Sequence, residues 1–287
     1  MTETNDAPQP YAHELGVAVR LARAAGAAAL AHYGGPLDIV HKSGNEDPVT
    51  QADHAANDVI MRGLAEAFPD DGLLSEETTD TVRRLSCTRV WMIDPLDGTK
   101  GFIAGNGDFA VQIGLVVAGR SVLGVVYLPA SDVLYYAADG AGAWVARDDA
   151  EAMRVRVSDE TDLTRMRLAA SRSHHSPRMD SVMRALGVRD EIRRGSVGIK
   201  LGLIVEQQCG LYVHLSSHTK QWDTCAPESI LREAGGQLTD LWGAPIHYNT
   251  PDVQNHNGLV AANLEAHAHI VARLAPLLAE FGRTRVE

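Results

Sequence analysis

The chain has 287 residues, a length comfortable for two domains, with 45% apolar but only 5% aromatic residues, 26 basic against 37 acidic side chains, and a formal net charge of −11. An acid surplus of this size disfavours nucleic acid polymers and anionic membranes as partners, yet leaves room for a small anionic substrate where bound cations invert the local field. Three cysteines, Cys87, Cys209 and Cys225, lack metal-like spacing and read as reduced thiols of a cytoplasmic protein. The polar, acidic start MTETNDAPQPYAHELG has neither the basic nor the apolar block of a signal peptide. The apolar run 16–30 is broken by Arg20 and Arg23 and is too short to span a membrane.

Helical periodicity from Tyr11 to His32 predicts a first helix, stopped at Gly34-Gly35-Pro36. A second helix is expected from Gln51 to Phe68, with Thr50 as N-cap and Val59, Ile60, Leu64 and Phe68 on one face. Arg89-Val90-Trp91-Met92-Ile93 reads as a buried strand running into Asp94-Pro95. A hairpin of 109–117 and 121–128, then strands at 133–137 and 143–146, complete an antiparallel meander. Beyond a charged stretch at 147–162 the rhythm changes. Strands at 166–170, 210–215 and 237–241 alternate with helices at 177–186, 197–207 and 224–234, as in a sheet covered by helices. The expected division is an N-terminal α+β domain, 1–155, and a C-terminal α/β domain, 156–287.

The chemistry concentrates in Trp91-Met-Ile-Asp94-Pro-Leu-Asp97-Gly-Thr99-Lys100. A buried strand delivers Asp94 to the mouth of a cleft, Pro95 bends the chain, and Gly98 opens the backbone for a close approach. Two carboxylates and the Leu96 carbonyl then converge, a set of hard oxygens suited to Mg²⁺. Alone, Asp-Pro-x-Asp-Gly is also a common turn. The set is longer than a turn, however: Leu74-Ser-Glu76-Glu77 lies upstream, and Trp222-Asp223-Thr-Cys-Ala-Pro-Glu228 opens a helix far downstream.

With Asp47-Pro-Val-Thr50-Gln-Ala-Asp53, these motifs resemble the inositol monophosphatase superfamily of magnesium-dependent, lithium-sensitive phosphatases. Asp-Gly-Thr-Lys100 and Trp-Asp-Thr-Cys-Ala-Pro-Glu are most similar to the 3′(2′),5′-bisphosphate nucleotidases, which convert adenosine 3′,5′-bisphosphate to AMP and phosphate. The resemblance implies an α/β fold, the αβαβα five-layer sandwich of the sugar-phosphatase type. It implies a homodimer acting on a small phosphorylated metabolite, with two or three Mg²⁺ ions and inhibition by Li⁺. It also implies metal ligation by Glu76, Asp94, the Leu96 carbonyl, Asp97 and Asp223, and water activation by Asp47 and Thr99. Gly98 and Thr99 amides would meet the phosphate, and Ser171, His174, Ser196 and Lys200 would meet the rest of the substrate.

Several of these residues have a plainer reading beside the functional one. Ser196 follows Gly195 at a helix start and is explained by capping; Lys200 by solvation; His174 and His175 by a polar loop; Asp53 by its place in the first turn of a helix. Gly101 stands where bacterial nucleotidases often carry Glu, Ser171 where Thr is common, and 214–221 lacks an Arg found before Trp-Asp in several of them. These departures spare the metal chemistry and touch nucleotide preference. The alternatives are an inositol-1-phosphate phosphatase and, outside enzymes, a non-catalytic phosphometabolite-binding protein.

Overall fold

A computed structural model describes residues 10–41, 48–148, 150–172 and 176–286. Helix α1 (Ala12–Leu30) buries Val17, Ala18, Ala22, Ala25 and Ala29, the stripe its 3.6-residue period lays out. A short antiparallel pair, β1 (Val40–His41) and β2 (Pro48–Val49), leads into α2 (Gln51–Ala67). Thr50 caps α2 from an extended backbone, its Oγ1 accepting the Ala52 amide at 3.1 Å.

The first sheet has seven strands in chain order: β3 (Gly72–Ser75), β4 (Arg89–Asp97), β5 (Ala110–Val117), β6 (Arg120–Leu128), β7 (Val133–Ala138), β8 (Gly142–Arg147) and β9 (Met153–Val155). All neighbours are antiparallel except β3 and β4, which are parallel. The short helix α3 (Thr99–Ile103) leaves the end of β4. Side chains alternate across the sheet with period two. Trp91, Ile93, Val111, Ile113, Leu123 and Val125 pack on α1 and α2, while Ala110, Val126 and Leu128 pack on a second helical layer.

That layer consists of α5 (Val197–Val205) and α6 (Gln221–Glu233), and its far side covers a second sheet. The second sheet is formed by β10 (Arg167–Ser171), β11 (Asp190–Arg194), β12 (Leu211–His214), β13 (Gly236–Thr239) and β14 (Leu259–Asn263), in the order β11-β10-β12-β14-β13. Strand β10 is parallel to β11 and β12; the other pairings are antiparallel. Ala169, Tyr212 and Ala261 face α5 and α6, whereas Leu168, Ala170, Val213 and Val260 face α4 (Pro177–Leu186) and α7 (Leu264–Glu280). The result is the expected five-layer αβαβα sandwich.

Helix α6 seats directly on the first sheet. A Cβ added to Gly124 would lie 2.1 Å from the Ala226 carbonyl oxygen, so only glycine lets the two backbones meet there. The helix begins at Gln221, three residues before the expected Thr224, which places Asp223 inside its first turn. Some elements are not announced by the sequence pattern. Strand β11, Asp-Glu-Ile-Arg-Arg, is an edge strand with one apolar residue and no alternation to read. Helix α7 carries Pro276 in its interior, a residue that reads as a break. Among the described residues, no helix is long and apolar enough to cross a membrane.

Candidate metal centre and active site

Strand β4 is fully buried through its middle and carries Asp94 out of the core with only 1% of its surface exposed. Pro95 has no N–H to give the ladder. Pairing resumes at Asp97, which sits opposite Ala110, whereas Asp94 sits opposite Gln112; β4 therefore holds one extra residue there. Inside this bulge Asp94 Oδ1 accepts the Leu96 amide at 3.0 Å. Gly98 follows at φ 103, a left-handed conformation that turns the chain into α3 with Thr99 as its first residue.

Parallel pairing brings the second acid. Ser75 lies opposite Ile93, and the Glu76 amide donates to the Ile93 carbonyl at 3.1 Å, so Glu76 stands beside Asp94. The third arrives on α6, where Asp223 Oδ2 accepts the Lys220 amide at 2.7 Å. Oxygens of Glu76, Asp94 and Asp223 all lie within 4.8 Å of one another. Burial, reinforced by the charges of Glu76, Asp97 and Asp223, raises the Asp94 carboxyl well above the ordinary range. Asp223 is raised well above it too, by burial and then by Asp97 and Glu76. Carboxylates held this close without a cation prefer protons, and the all-oxygen donor set fits Mg²⁺.

Asp97 stands outside that trio. Its Oδ2 accepts Gln112 Nε2 at 2.6 Å, Ser196 Oγ at 2.6 Å, Val197 N at 2.7 Å and Gly198 N at 3.4 Å. One carboxylate oxygen thus closes the N-terminus of α5. Ser196 sits at φ 52, and its Oγ also accepts the Ile199 amide at 3.2 Å, so its hydroxyl is committed to the helix cap. Burial raises the Asp97 carboxyl, opposed first by the Lys200 charge. Lys200 is buried, donates to the Gly195 carbonyl at 3.4 Å and lies 5.4 Å from the centre of the Tyr212 ring. Burial pulls its ammonium down to about 8, opposed by Asp97, Asp108 and Asp223.

Thr99 Oγ1 lies 3.1 Å from Asp53 Oδ1 and 3.3 Å from the Leu96 carbonyl. Asp53 in turn accepts the Thr50 amide at 2.8 Å and the Thr50 hydroxyl at 2.7 Å through Oδ2. Leu96 points its side chain into the core, 1% exposed. Ser171 ends β10 and lines a cavity of about 670 Å³ bounded also by Ala170, Pro177, Met179, Val213 and Leu215. That cavity lies on the α4 side of the second sheet, and no member of the carboxylate trio lines it. Asp47 and His174 lie outside the described residues.

Two polar contacts at the centre were not singled out by the sequence. Asp53 combines a helix cap with a bond to Thr99; the Thr50-x-x-Asp53 spacing signals the cap but not the second bond. Gln112 has no exposed surface and holds Asp97; its signal is a lone amide inside the apolar strand Ala-Val-Gln-Ile-Gly-Leu-Val-Val.

The family match and the bisphosphate nucleotidase relatives indicate a phosphatase, a phosphoric monoester hydrolase. The chain belongs to the inositol monophosphatase family, whose model matches residues 11–278. It is 40% identical over 233 residues to the 3′(2′),5′-bisphosphate nucleotidase CysQ of Escherichia coli K12, covering 80% of this chain and 91% of that one. It is 30% identical to the Nus factor SuhB of Pasteurella multocida over 274 residues, covering 93% and 97%. The crystal structure of CysQ from Bacteroides thetaiotaomicron superposes with a TM-score of 0.75 at 29% identity, covering 88% of this chain and 98% of that one.

Proposed function

We propose that the chain is a Mg²⁺-dependent 3′(2′),5′-bisphosphate nucleotidase, converting adenosine 3′,5′-bisphosphate to AMP and phosphate by direct attack of water. The observation that carries the hydrolytic part is the Glu76–Asp94–Asp223 cluster, three oxygens within 4.8 Å, next to the anchored Thr99 hydroxyl. The nucleotide part is supported by the CysQ relative at 40% identity.

Glu76, Asp94 and Asp223 would hold the metal with the Leu96 carbonyl, and Asp97 would add its Oδ1, since Oδ2 is committed to α5. Metal held there supplies positive charge for the phosphate and Lewis acidity for the attacking water and leaving oxygen. Thr99, donating its proton to Asp53, would keep lone pairs free to accept a hydrogen bond from the attacking water and so orient it. Asp47 would take the proton. The Gly98 and Thr99 amides would receive the phosphate oxygens. Lys200, Ser171 and His174 would face the remainder of the substrate. Ser196, bound at both its donor and acceptor positions, would act by holding Asp97.

An inositol-1-phosphate phosphatase is the second reading, favoured by the absence of Arg between His214 and Trp222. The deciding experiment is phosphate release from adenosine 3′,5′-bisphosphate, inositol 1-phosphate and fructose 1,6-bisphosphate, side by side with Mg²⁺. The highest kcat/KM on the first supports the proposal; the highest on inositol 1-phosphate replaces it.

A further inference from the structure

Asp108, just ahead of β5, is 1% exposed, yet it gathers more positive charge than it can neutralise. Its Oδ2 accepts Arg172 Nε at 2.6 Å and the Gly195 amide at 2.9 Å; its Oδ1 accepts Arg194 Nε at 2.5 Å. Lys200 adds a third cation within electrostatic reach. Two guanidinium groups on one carboxylate leave a positive charge in excess. Both meet Asp108 through Nε, and their side chains remain 48% and 34% exposed. Arg172 spends Nη2 on the Arg193 carbonyl at 3.3 Å; among the described residues, Arg194 makes no side-chain hydrogen bond besides the one to Asp108.

These contacts also clamp the loop ahead of β5 to the ends of β10 and β11. The position of the pair points to more. Ser171 and Arg194 are paired across β10 and β11, so the arginines sit at the carboxyl ends of parallel strands, where open α/β sheets take their ligands. From Arg194 the chain runs through Gly195 to Ser196, whose hydroxyl holds Asp97. Asp108 is also pinned to the turn bearing Thr99: a Cβ on Gly98 or on Gly101 would stand 2.4 Å from its carbonyl oxygen. The arginine pair is therefore tied to Asp97 and to the turn bearing Thr99.

We propose that Arg172 and Arg194, aimed by Asp108, form the subsite for the second, non-reacting phosphate of a bisphosphate substrate. Their Nη atoms offer the planar fork that matches phosphate oxygens, and the phosphate supplies the missing negative charge. The subsite rests on the phosphatase reading and deepens its substrate half.

The test uses Arg172→Gln, Arg194→Gln, their combination and Arg194→Lys, with kcat and KM on adenosine 3′,5′-bisphosphate and on adenosine 3′-monophosphate, which lacks the second phosphate. Wild type prefers the bisphosphate. Each Gln variant lowers that preference about tenfold or more, through KM for the bisphosphate, as expected for a lost charge-assisted bond. The double variant loses most of it, and Arg194→Lys keeps more than Arg194→Gln. A wild-type preference that survives in the double variant overturns the subsite alone. So does an equal loss on both substrates with a lowered Tm, the mark of a clamp. A wild type with no preference for the bisphosphate takes the nucleotidase reading down as well.

Discussion

Asp53→Ala removes a residue that belongs at once to a helix cap and to the hydrogen bond that holds the Thr99 hydroxyl. Three contacts disappear: the Thr50 amide at 2.8 Å, the Thr50 hydroxyl at 2.7 Å and Thr99 Oγ1 at 3.1 Å. Thr50 is 1% exposed, so water cannot replace the first two without rearrangement. Hydrogen bonds to a charged acceptor are worth about 1.5–3 kcal/mol each, and shared acceptors are not additive, so the expected loss is about 3 kcal/mol. For a chain of this size that lowers Tm by about 6–12 °C. The freed Thr99 hydroxyl no longer presents a fixed lone pair, and kcat should fall toward the lower part of the ~10²–10⁴-fold range of proton-transfer assistance, with KM little changed. Asp53→Asn separates the two roles. Its one oxygen can satisfy Thr50, leaving an NH₂ group toward Thr99, so kcat falls while most of the stability remains. Thermal melts and steady-state phosphate release at saturating Mg²⁺ measure both. An alanine variant with kcat within about threefold of wild type would refute the link from Asp53 to Thr99.

Asp94→Asn should abolish nearly all turnover at saturating Mg²⁺ while the metal-free protein melts no lower than wild type, because the buried carboxylate is repelled by its neighbours; full activity would exclude the ligand role. Asp94, Asp97 and Asp223 are all raised by burial, so the folded, metal-free state binds more protons than the unfolded chain above the ordinary Asp value of about 3.9, and its stability falls as pH rises through the raised values. The Tm gap between Mg²⁺ and EDTA should accordingly widen from about pH 5 to about pH 8; a narrowing gap contradicts this. Gly124→Val, which drives a side chain into the Ala226 carbonyl, should cost about 3 kcal/mol or more and raise the Mg²⁺ concentration for half-maximal activity; a wild-type melt would show that α6 is not seated as described. LiCl should inhibit where matched NaCl and KCl do not, since Li⁺ brings half the charge of Mg²⁺ to the leaving oxygen; equal effects of the three salts would remove that expectation.

The sequence reveals the parts of this molecule whose chemistry is local. Helices α1 and α2 show in their apolar period, β4 in a continuous buried run, β5 to β8 in apolar runs parted by turn residues, and Asp94, Glu76 and Asp223 in short motifs. What it conceals is long-range. Nothing near Asp97 in sequence says that its Oδ2 will close a helix beginning about a hundred residues later, at Val197. Nothing near Asp108 says that Arg172 and Arg194 will meet there. Strand β11 hides because an edge strand needs only one apolar face residue, and Asp53 because its cap explains it before the Thr99 bond is considered.

The backbone of α6 rests on Gly124 with no side chain as a cushion. Asp223 is therefore registered against Glu76 and Asp94 with main-chain accuracy, by an element arriving from far along the chain. The ends of β10 and β11 bear none of these three acids. The spacing of the three acids is thus set by backbone contact, and the wall at β10 and β11 stands apart from it. On the proposed reading, substitutions along that wall would change which alcohol is accepted while leaving the spacing of Glu76, Asp94 and Asp223 as it is.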